Sequence, residues 1–329
     1  MKKVAPDTLD DIIAQLYKGN RRAMARCISM VENDSVDSDP LLREIFQSTG
    51  NAYRIGITGP LGSGKSTLTN KLTSYYLKQG LQVGIIAVDP TSPFTGGAVL
   101  GDRIRMTDIE MDENVFIRSM ASRGSLGGLS KKAREAADVL DAAGKDIIFL
   151  ETVGVGQSEI DIVRASDATV VVLVPESGDS IQAMKAGLME IADIFVLNKS
   201  DRSGADQAAS AIDSILNLRT NKPEDNELWR PPVVKTIASQ NSGIDDVDSS
   251  LEEFKKYMKE TDKFQHRRIG ALVERVDQLV TKKLYREFWT SERRTYFNDQ
   301  LSAVTDYRSS PYDLADSLIE HFKENKNNG

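Results

Sequence analysis

Over residues 53–258, short apolar runs of strand length alternate with amphipathic segments of helical period. The runs are Ile55–Thr58, Val83–Val88, Val115–Ile117, Ile147–Leu150, Thr169–Val174, Ile194–Leu197 and Val233–Ile237. They lack a polar residue at every second place, which fits strands covered on both faces. Helices are predicted at Thr67–Gln79, Ser130–Ala143, Ala205–Leu218 and Ile244–Lys259, the first two followed by Gly80 and Gly144. A glycine there accepts the left-handed turn that ends a helix. The alternation predicts an α/β fold with a mostly parallel central sheet flanked by helices. Ligands of such sheets bind beyond the carboxyl ends of the strands.

The flanks have a different pattern. In residues 1–50, Leu9, Ile12, Ile13 and Leu16 recur at helical spacing, as do Met24, Cys27, Ile28 and Val31. Glu32–Pro40 reads as a polar connection and Leu41–Ser48 as another helix. From 261 on, a charged helix to Phe288 carries an apolar stripe from Ile269 to Leu284, and a second helix is predicted at Pro311–Lys323. Such a stripe has to be covered, by the parent domain or by a helix of a second subunit. The expected organisation is a helical extension (1–50), a nucleotide domain (51–260) and a helical C-terminal arm (261–329).

Composition narrows the function classes. The 329 residues carry a net charge of −7, which gives no electrostatic support to nucleic-acid binding. One cysteine, Cys27, excludes an internal disulfide framework and suits a reducing compartment. No run approaches the ~20 apolar residues of a membrane span, and the N-terminus lacks the apolar core of a signal peptide. A cytoplasmic location is expected.

The chemistry begins where the first strand runs into Gly59-Pro-Leu-Gly62-Ser63-Gly64-Lys65-Ser66, followed by Thr67. This is the phosphate-loop spacing G-x-x-x-x-G-K-[ST] in its required order of strand, Gly-rich loop and helix. It makes the predicted fold a P-loop NTPase. Backbone N–H groups from Gly59 to Thr67 are candidates to surround phosphate, Lys65 to reach the β- and γ-phosphates, and Ser66 to ligate Mg²⁺.

Two further pieces follow later strands. Asn198-Lys199-Ser200-Asp201 fits the N-K-x-D pattern of guanine-specific GTPases. A carboxylate at Asp201 accepts from guanine N1–H and the exocyclic amine, whereas adenine leaves it unpaired. Asn198 would tie the loop together, the Lys199 stem would cover the base, and Ala238 or Ser239 would offer an N–H to guanine O6. Glu151-Thr-Val-Gly154 stands where most GTPases have D-x-x-G, with the glycine N–H toward the γ-phosphate. Asp89 and Asp102 are further candidate ligands of the same Mg²⁺. Val155 occupies the place of the water-positioning Gln of Ras-like enzymes, so hydrolysis is expected to be slow unless Gln157 or a partner's group substitutes. Lys65, Asp102, Glu151 and Gln157 form the candidate catalytic set.

Longer segments resemble the MeaB/ArgK family of GTPases: VDPTSPFTGGAVLGDRIRM (88–106), RSMASRGSLGGLS (118–130), ETVGVGQSE (151–159) and VPESGDSIQAMKAGLMEIAD (174–193). The likeness covers nearly the whole chain. It implies GTP/GDP and Mg²⁺ as ligands, slow GTP hydrolysis, a homodimer formed through the C-terminal arm, and neither nucleic acid nor membrane as partner. It also implies a chaperone role toward an adenosylcobalamin-dependent acyl-CoA mutase of the methylmalonyl-CoA mutase type, gating cofactor loading and protecting the mutase. By position, Glu176–Met189 matches a segment coupling nucleotide state to the mutase, with Gln182 and Lys185 its polar contacts. One departure stands out: Pro60 comes one place earlier than in the family pattern, and Leu61 fills the usual proline position. The alternatives are a nucleotide-dependent metallochaperone, a transport-associated ATPase or kinase, and a GTP-dependent binding module. The metallochaperone lacks support from one Cys and two His, and NKSD argues against ATP.

Overall fold

Seven strands form one sheet: β1 (Tyr53–Thr58), β2 (Val83–Pro90), β3 (Val115–Ser122), β4 (Ile147–Thr152), β5 (Ala168–Leu173), β6 (Ile194–Asn198) and β7 (Val233–Thr236). Their order is β3-β2-β4-β1-β5-β6-β7, and each of the six pairings is parallel. The helices are α1 (Leu9–Leu16), α2 (Arg21–Glu32), α3 (Ser38–Ile45), α4 (Lys65–Lys78), α5 (Gly128–Ala142), α6 (Ala205–Arg219), α7 (Ile244–Glu260), α8 (Lys263–Phe288), α9 (Ser291–Thr305) and α10 (Pro311–Asn327). This is a computed structural model, and it describes residues 8–90, 109, 111–122, 128–152, 164–175, 188–219 and 229–327.

Alternation along the strands sets the layers. In β4, Ile148 and Leu150 join a core with Ile86, Val88 and the alanines of α5, while Ile147 and Phe149 meet Leu68 and Leu72 of α4 on the other face. α7 joins α4 through Val247, Leu251 and Phe254. α6 covers Val171, Leu173, Phe195 and Leu197. Both faces are therefore dry, and fully burying each such Leu, Ile or Phe contributes about 1.5–3 kcal/mol. The helices α1–α3 add a layer over α5, where Met24, Cys27, Ile28 and Leu41 share a core with Ala133, Ala136, Ala137 and Leu140. Small residues on α5 let these helices approach closely. Caps fix the entries: Thr8 Oγ1 accepts the Asp11 N–H, and Asn20 Oδ1 accepts those of Arg22 and Ala23.

Charge organises the amino-terminal ends of the strands. Asp141 of α5 accepts the N–H groups of Gly50, Asn51 and Ala52 and pairs with Arg54 at 2.9 Å. Asp167, just before β5, accepts the Arg54 N–H and pairs with Arg268 at 2.8 Å. Asp193, just before β6, pairs with Arg267 at 3.0 Å. Burial pushes the Asp193 carboxyl up, and Arg267 and the Thr169 N–H oppose that.

Three elements differ from the sequence expectation. β3 runs to Ser122 rather than stopping at Ile117, because the backbone ladder to β2 continues while polar side chains on this outermost strand find partners outside the sheet. Arg118, for example, reaches Ser29 and Glu32 of α2. α3 begins at Ser38 and includes Pro40, since a proline in the first turn lacks only an N–H that has no helical partner there. α9 has no counterpart among the predicted helices: its fifteen residues, SERRTYFNDQLSAVT, show no single apolar stripe. The Thr290 cap and ring contacts such as Trp289–Phe297 at 5.6 Å hold it instead.

The chain divides into two compact units, Met1–Arg268 and Ile269–Gly329. Inside the second, Phe288, Trp289, Phe297 and Phe322 form an aromatic cluster, and Leu314 and Leu318 are buried. α8 has no buried residue, and Ile269, Leu272, Val273, Val276, Val280 and Leu284 lie exposed along it.

Lys145 supplies a test of the first unit. Its ammonium is buried and donates to Gln82 Oε1 and the Asn114 carbonyl, each at 2.9 Å. Burial pulls its pKa down to about 8, helped by the charge of Arg21. Between pH 8 and the unfolded value of about 10.4, the unfolded chain therefore holds a proton that the folded chain has released. Stability from this group rises with pH across that window and is lowest below it. Urea unfolding should show the wild type gaining stability relative to Lys145→Met from pH 8 to 10, with a constant difference below pH 7.

Candidate functional site

At the carboxyl edge of the sheet, β1 delivers the phosphate loop between its neighbours β4 and β5. The loop packs so closely that two glycines are obligatory. A Cβ on Gly59 (φ +135°) would lie 2.1 Å from the Val172 carbonyl oxygen of β5, and one on Gly64 (φ +92°) 2.3 Å from Asn198 Nδ2. No side chain fits either place, and L-residues disfavour both backbone conformations. Gly64 is the N-cap of α4, so the helix starts at Lys65, two residues earlier than the apolar pattern suggests. The N–H groups of its first turn and the partial positive charge of its end point toward the loop.

Lys65 and Ser66 open that helix and are buried. Lys65 Nζ donates to the carbonyls of Gly59 at 2.8 Å and Pro60 at 3.0 Å, lying across the loop it follows. Ser66 Oγ donates to Glu151 Oε1 at 2.6 Å, so the predicted pair is in direct contact between α4 and β4. Glu151 is itself buried at the end of β4. A second hydroxyl escapes the sequence reading: Thr69 Oγ1 lies 2.9 Å from Glu151 Oε2 and 3.0 Å from the Lys65 carbonyl. Its signal is its place one turn after Lys65 and Ser66, on the helix face toward the sheet. Thr152 Oγ1 donates to Thr58 Oγ1 at 3.0 Å, tying the end of β4 to the last residue before the loop.

The NKSD residues connect to the same loop. Asn198 Nδ2 donates to the Ser63 carbonyl at 2.9 Å, and its Oδ1 accepts from Thr236 Oγ1 and the Ala238 N–H at 3.1 Å each. Lys199 takes a left-handed backbone (φ +57°) and its Nζ reaches the Gly62 carbonyl at 2.8 Å. The turn is further fixed by Ser200 N–H to the Thr236 carbonyl. Asp201 follows it, exposed, as is Ser239 beyond β7. The stretch 238–240 is a single 3₁₀ turn, with Asn241 left-handed behind it.

The structure thus brings Lys65, Ser66 and Glu151 together, and joins Ser63, Asn198 and Ala238. Asp89 lies near the end of β2, two residues beyond Ala87, which pairs with Glu151 in the ladder. Asp102, Gly154, Gln157, Gln182 and Lys185 lie outside the described residues. For a divalent ion the donors present are a carboxylate and a hydroxyl, hard oxygens that suit Mg²⁺. Among the described residues no group of three His, Cys, Asp or Glu side chains gathers as a metal cage. Two protein oxygens fit Mg²⁺, which keeps waters and takes the rest of its shell from phosphates.

A parallel sheet with a phosphate loop after its central strand, a buried acid beside the loop serine and a tied N-K-x-D turn defines a P-loop nucleotide-binding protein of the GTPase type. Comparison with known proteins makes this specific: the model of the methylmalonyl-CoA mutase-associated GTPase MeaB matches residues 24–293, and the chain belongs to that family. A protein of Pyrococcus abyssi that carries the name of a GTPase is 47% identical over 312 residues, covering 95% of this chain and 96% of its own. The GTPase ArgK of Escherichia coli is 35% identical, covering 92% and 93%. The mitochondrial methylmalonic aciduria type A homolog of Mus musculus is 33% identical over 76% of this chain and 64% of its own. The crystal structure of a protein named LAO/AO transport system kinase superposes with a TM-score of 0.70 at 29% identity, over 97% of this chain and 99% of that one.

Two substitutions test the geometry. Thr69→Val deprives a buried carboxylate of a donor without changing shape and should cost about 1–3 kcal/mol in urea unfolding, whereas Thr69→Ser should recover most of it. Gly64→Ala should displace Asn198 and weaken guanine-nucleotide binding at least ~10-fold by calorimetry, since both the contact and φ forbid a Cβ.

Proposed function

We propose that this GTPase binds GTP with Mg²⁺, hydrolyses it slowly by itself, and reports its nucleotide state to an adenosylcobalamin-dependent acyl-CoA mutase of the methylmalonyl-CoA mutase type, as a homodimer held through its C-terminal helices. The observation that carries the nucleotide part is the Asn198 amide. One side chain spans from the phosphate loop at Ser63 to the Ala238 turn, so the segments that would meet the phosphates and the base form one connected body.

In this reading Lys65 leaves its loop carbonyls for the β- and γ-phosphates, and Ser66 with Glu151 holds Mg²⁺. The ion supplies charge neutralisation of the triphosphate. Thr69 keeps the Glu151 carboxylate turned toward Ser66. Asp201, at the exposed end of its turn, accepts the guanine edge, and Ser239 or Ala238 faces O6. Asp89, Asp102, Gly154 and Gln157 complete the γ-phosphate side. Gln182 and Lys185, which lie outside the described residues, contact the mutase in the GTP state. The mutase as client is supported by the family description and by the methylmalonic aciduria type A homolog. Contacts from that client complete the hydrolytic geometry, which in GTPases generally adds ~10³–10⁵ in rate.

The name of the related protein, a transport system kinase, keeps a kinase reading in view. The base site separates the two, because a kinase using ATP has no use for an exposed acid aimed at guanine. Asp201→Asn should lower GTP affinity roughly 10- to 100-fold while leaving ATP affinity as weak as in the wild type. Equal wild-type affinity for both triphosphates, or unchanged GTP selectivity in Asp201→Asn, would overturn the guanine site. Single-turnover GTP hydrolysis with and without a methylmalonyl-CoA mutase tests the client, and an unchanged rate counts against it.

A further inference from the structure

Glu151 leaves β4 with its backbone held in the ladder on both sides, opposite Ile57 of β1 and Ala87 of β2. What remains open is its side-chain torsions, and two hydroxyls of α4 settle them. Ser66 Oγ donates to Oε1 at 2.6 Å, and Thr69 Oγ1 donates to Oε2 at 2.9 Å. All three side chains are buried. Ser66 and Thr69 stand three residues apart on one face of the helix, about 4.5 Å along its axis. The carboxylate is thereby laid out along α4, with Oε1 toward the phosphate loop and Oε2 deeper under the helix.

Thr69 is a stiff clamp. Its χ1 has only two favoured settings in a helix, and the one taken here brings Oγ1 to 3.0 Å from the Lys65 carbonyl as well. The hydroxyl has a single proton to give, and the carboxylate outbids the carbonyl because a bond to a charged acceptor is roughly twice as strong. Moving Oε2 away would leave a buried carboxylate oxygen without that donor, which is costly.

A cation beside Ser66 therefore meets Glu151 end-on, through Oε1. Mg²⁺ accepts this, since it takes single oxygens in a near-ideal octahedron at about 2.0–2.1 Å and keeps several waters. Ca²⁺ is larger, takes roughly six to eight oxygens, and gains when a carboxylate turns both of its oxygens to the ion. Glu151 can turn that way only by breaking the Thr69 bond. We propose that Thr69 is a metal-selectivity residue: by holding Oε2 away from the ion, it makes the nucleotide-bound protein prefer Mg²⁺ to Ca²⁺. It acts through Glu151 and is a positioning residue. The inference rests on the Mg²⁺ site proposed above and adds what chooses the ion.

Calorimetric titration of the full chain with a non-hydrolysable GTP analogue tests it, with Mg²⁺, Ca²⁺ or EDTA in the buffer. The readout is the ratio of nucleotide affinity in Mg²⁺ to that in Ca²⁺. The wild type should favour Mg²⁺, and Thr69→Val should cut the ratio about 10-fold, the size of one hydrogen bond to a charged group. Thr69→Ser, which keeps the hydroxyl, should retain most of it. Thr69→Ala removes the hydroxyl without placing a methyl beside the carboxylate, and should give the same shift where Thr69→Val folds poorly. A merely structural threonine would weaken binding equally in both ions and leave the ratio unchanged, and that result overturns the inference alone. So does a wild type that gains affinity from both ions alike. A wild type that binds the analogue equally well in Mg²⁺ and in EDTA overturns the Mg²⁺ site itself.

Discussion

One amide holds the nucleotide edge of this molecule together. Asn198 ends β6, yet its side chain is spent on two other segments: the phosphate loop at Ser63 and the turn at Ala238. The absence of a Cβ at Gly64 is what lets the loop come near enough, since that atom would overlap the amide nitrogen. Lys199 repeats the connection one residue on, at Gly62, from a left-handed backbone that throws its side chain back toward the loop. Because β1, β5, β6 and β7 are consecutive in the sheet, these bonds run across three strand pairs and fix the distance between the two ends of any ligand lying over them. Buried amide bonds of this kind contribute modestly when made and cost far more when one partner is removed. Their value here is geometric.

The other edge of the sheet carries the compensating arrangement. Asp141, Asp167 and Asp193 sit at the amino-terminal ends of the strands and gather backbone N–H groups as well as Arg54, Arg267 and Arg268. Buried ion pairs are weak evidence for stability, because desolvation offsets most of the attraction. They do select one register: a strand shifted by one residue would leave a carboxylate without its donors. Fixing the strands at that edge leaves the carboxyl edge able to carry glycines, positive φ angles and a buried acid. The layers between are alternating apolar residues and need neither edge for their burial.

The sheet and its helices are legible because parallel strands buried on both faces leave continuous apolar runs, as at Ile147–Leu150 and Ile194–Leu197. The ends of elements are less so. β3 continues through Arg118 and Ser119, whose polarity hides a strand unless the helix receiving Arg118 is known. α9 is illegible for a related reason: the face it packs with, Arg293, Tyr296 and Phe297 at i, i+3 and i+4, begins with a charged residue, and its partners are rings of the flanking segments rather than an aliphatic stripe. In the site, spacing announces Lys65, Ser66, Asn198 and Asp201, since motif chemistry fixes residue types at fixed offsets. Thr69 is not announced, because a threonine inside a helix reads as neutral until the carboxylate opposite it is placed. Glu151 stands out only as a departure from the usual aspartate. Its extra methylene carries the carboxylate to two hydroxyls of α4 at once.

That contact explains how an acid can change length without the site losing its form. A longer side chain at the end of β4 would ordinarily overreach a loop serine or wander among rotamers. Here Thr69 receives the second oxygen, so both ends of the carboxylate are fixed by the same helix that begins with the loop lysine. Any movement of β4 relative to β1 is then felt at Ser66 directly and at the loop through the Thr58–Thr152 hydroxyl bond. The phosphate loop and the end of β4 are thus joined by two short buried contacts, Ser66 to Glu151 and Thr152 to Thr58.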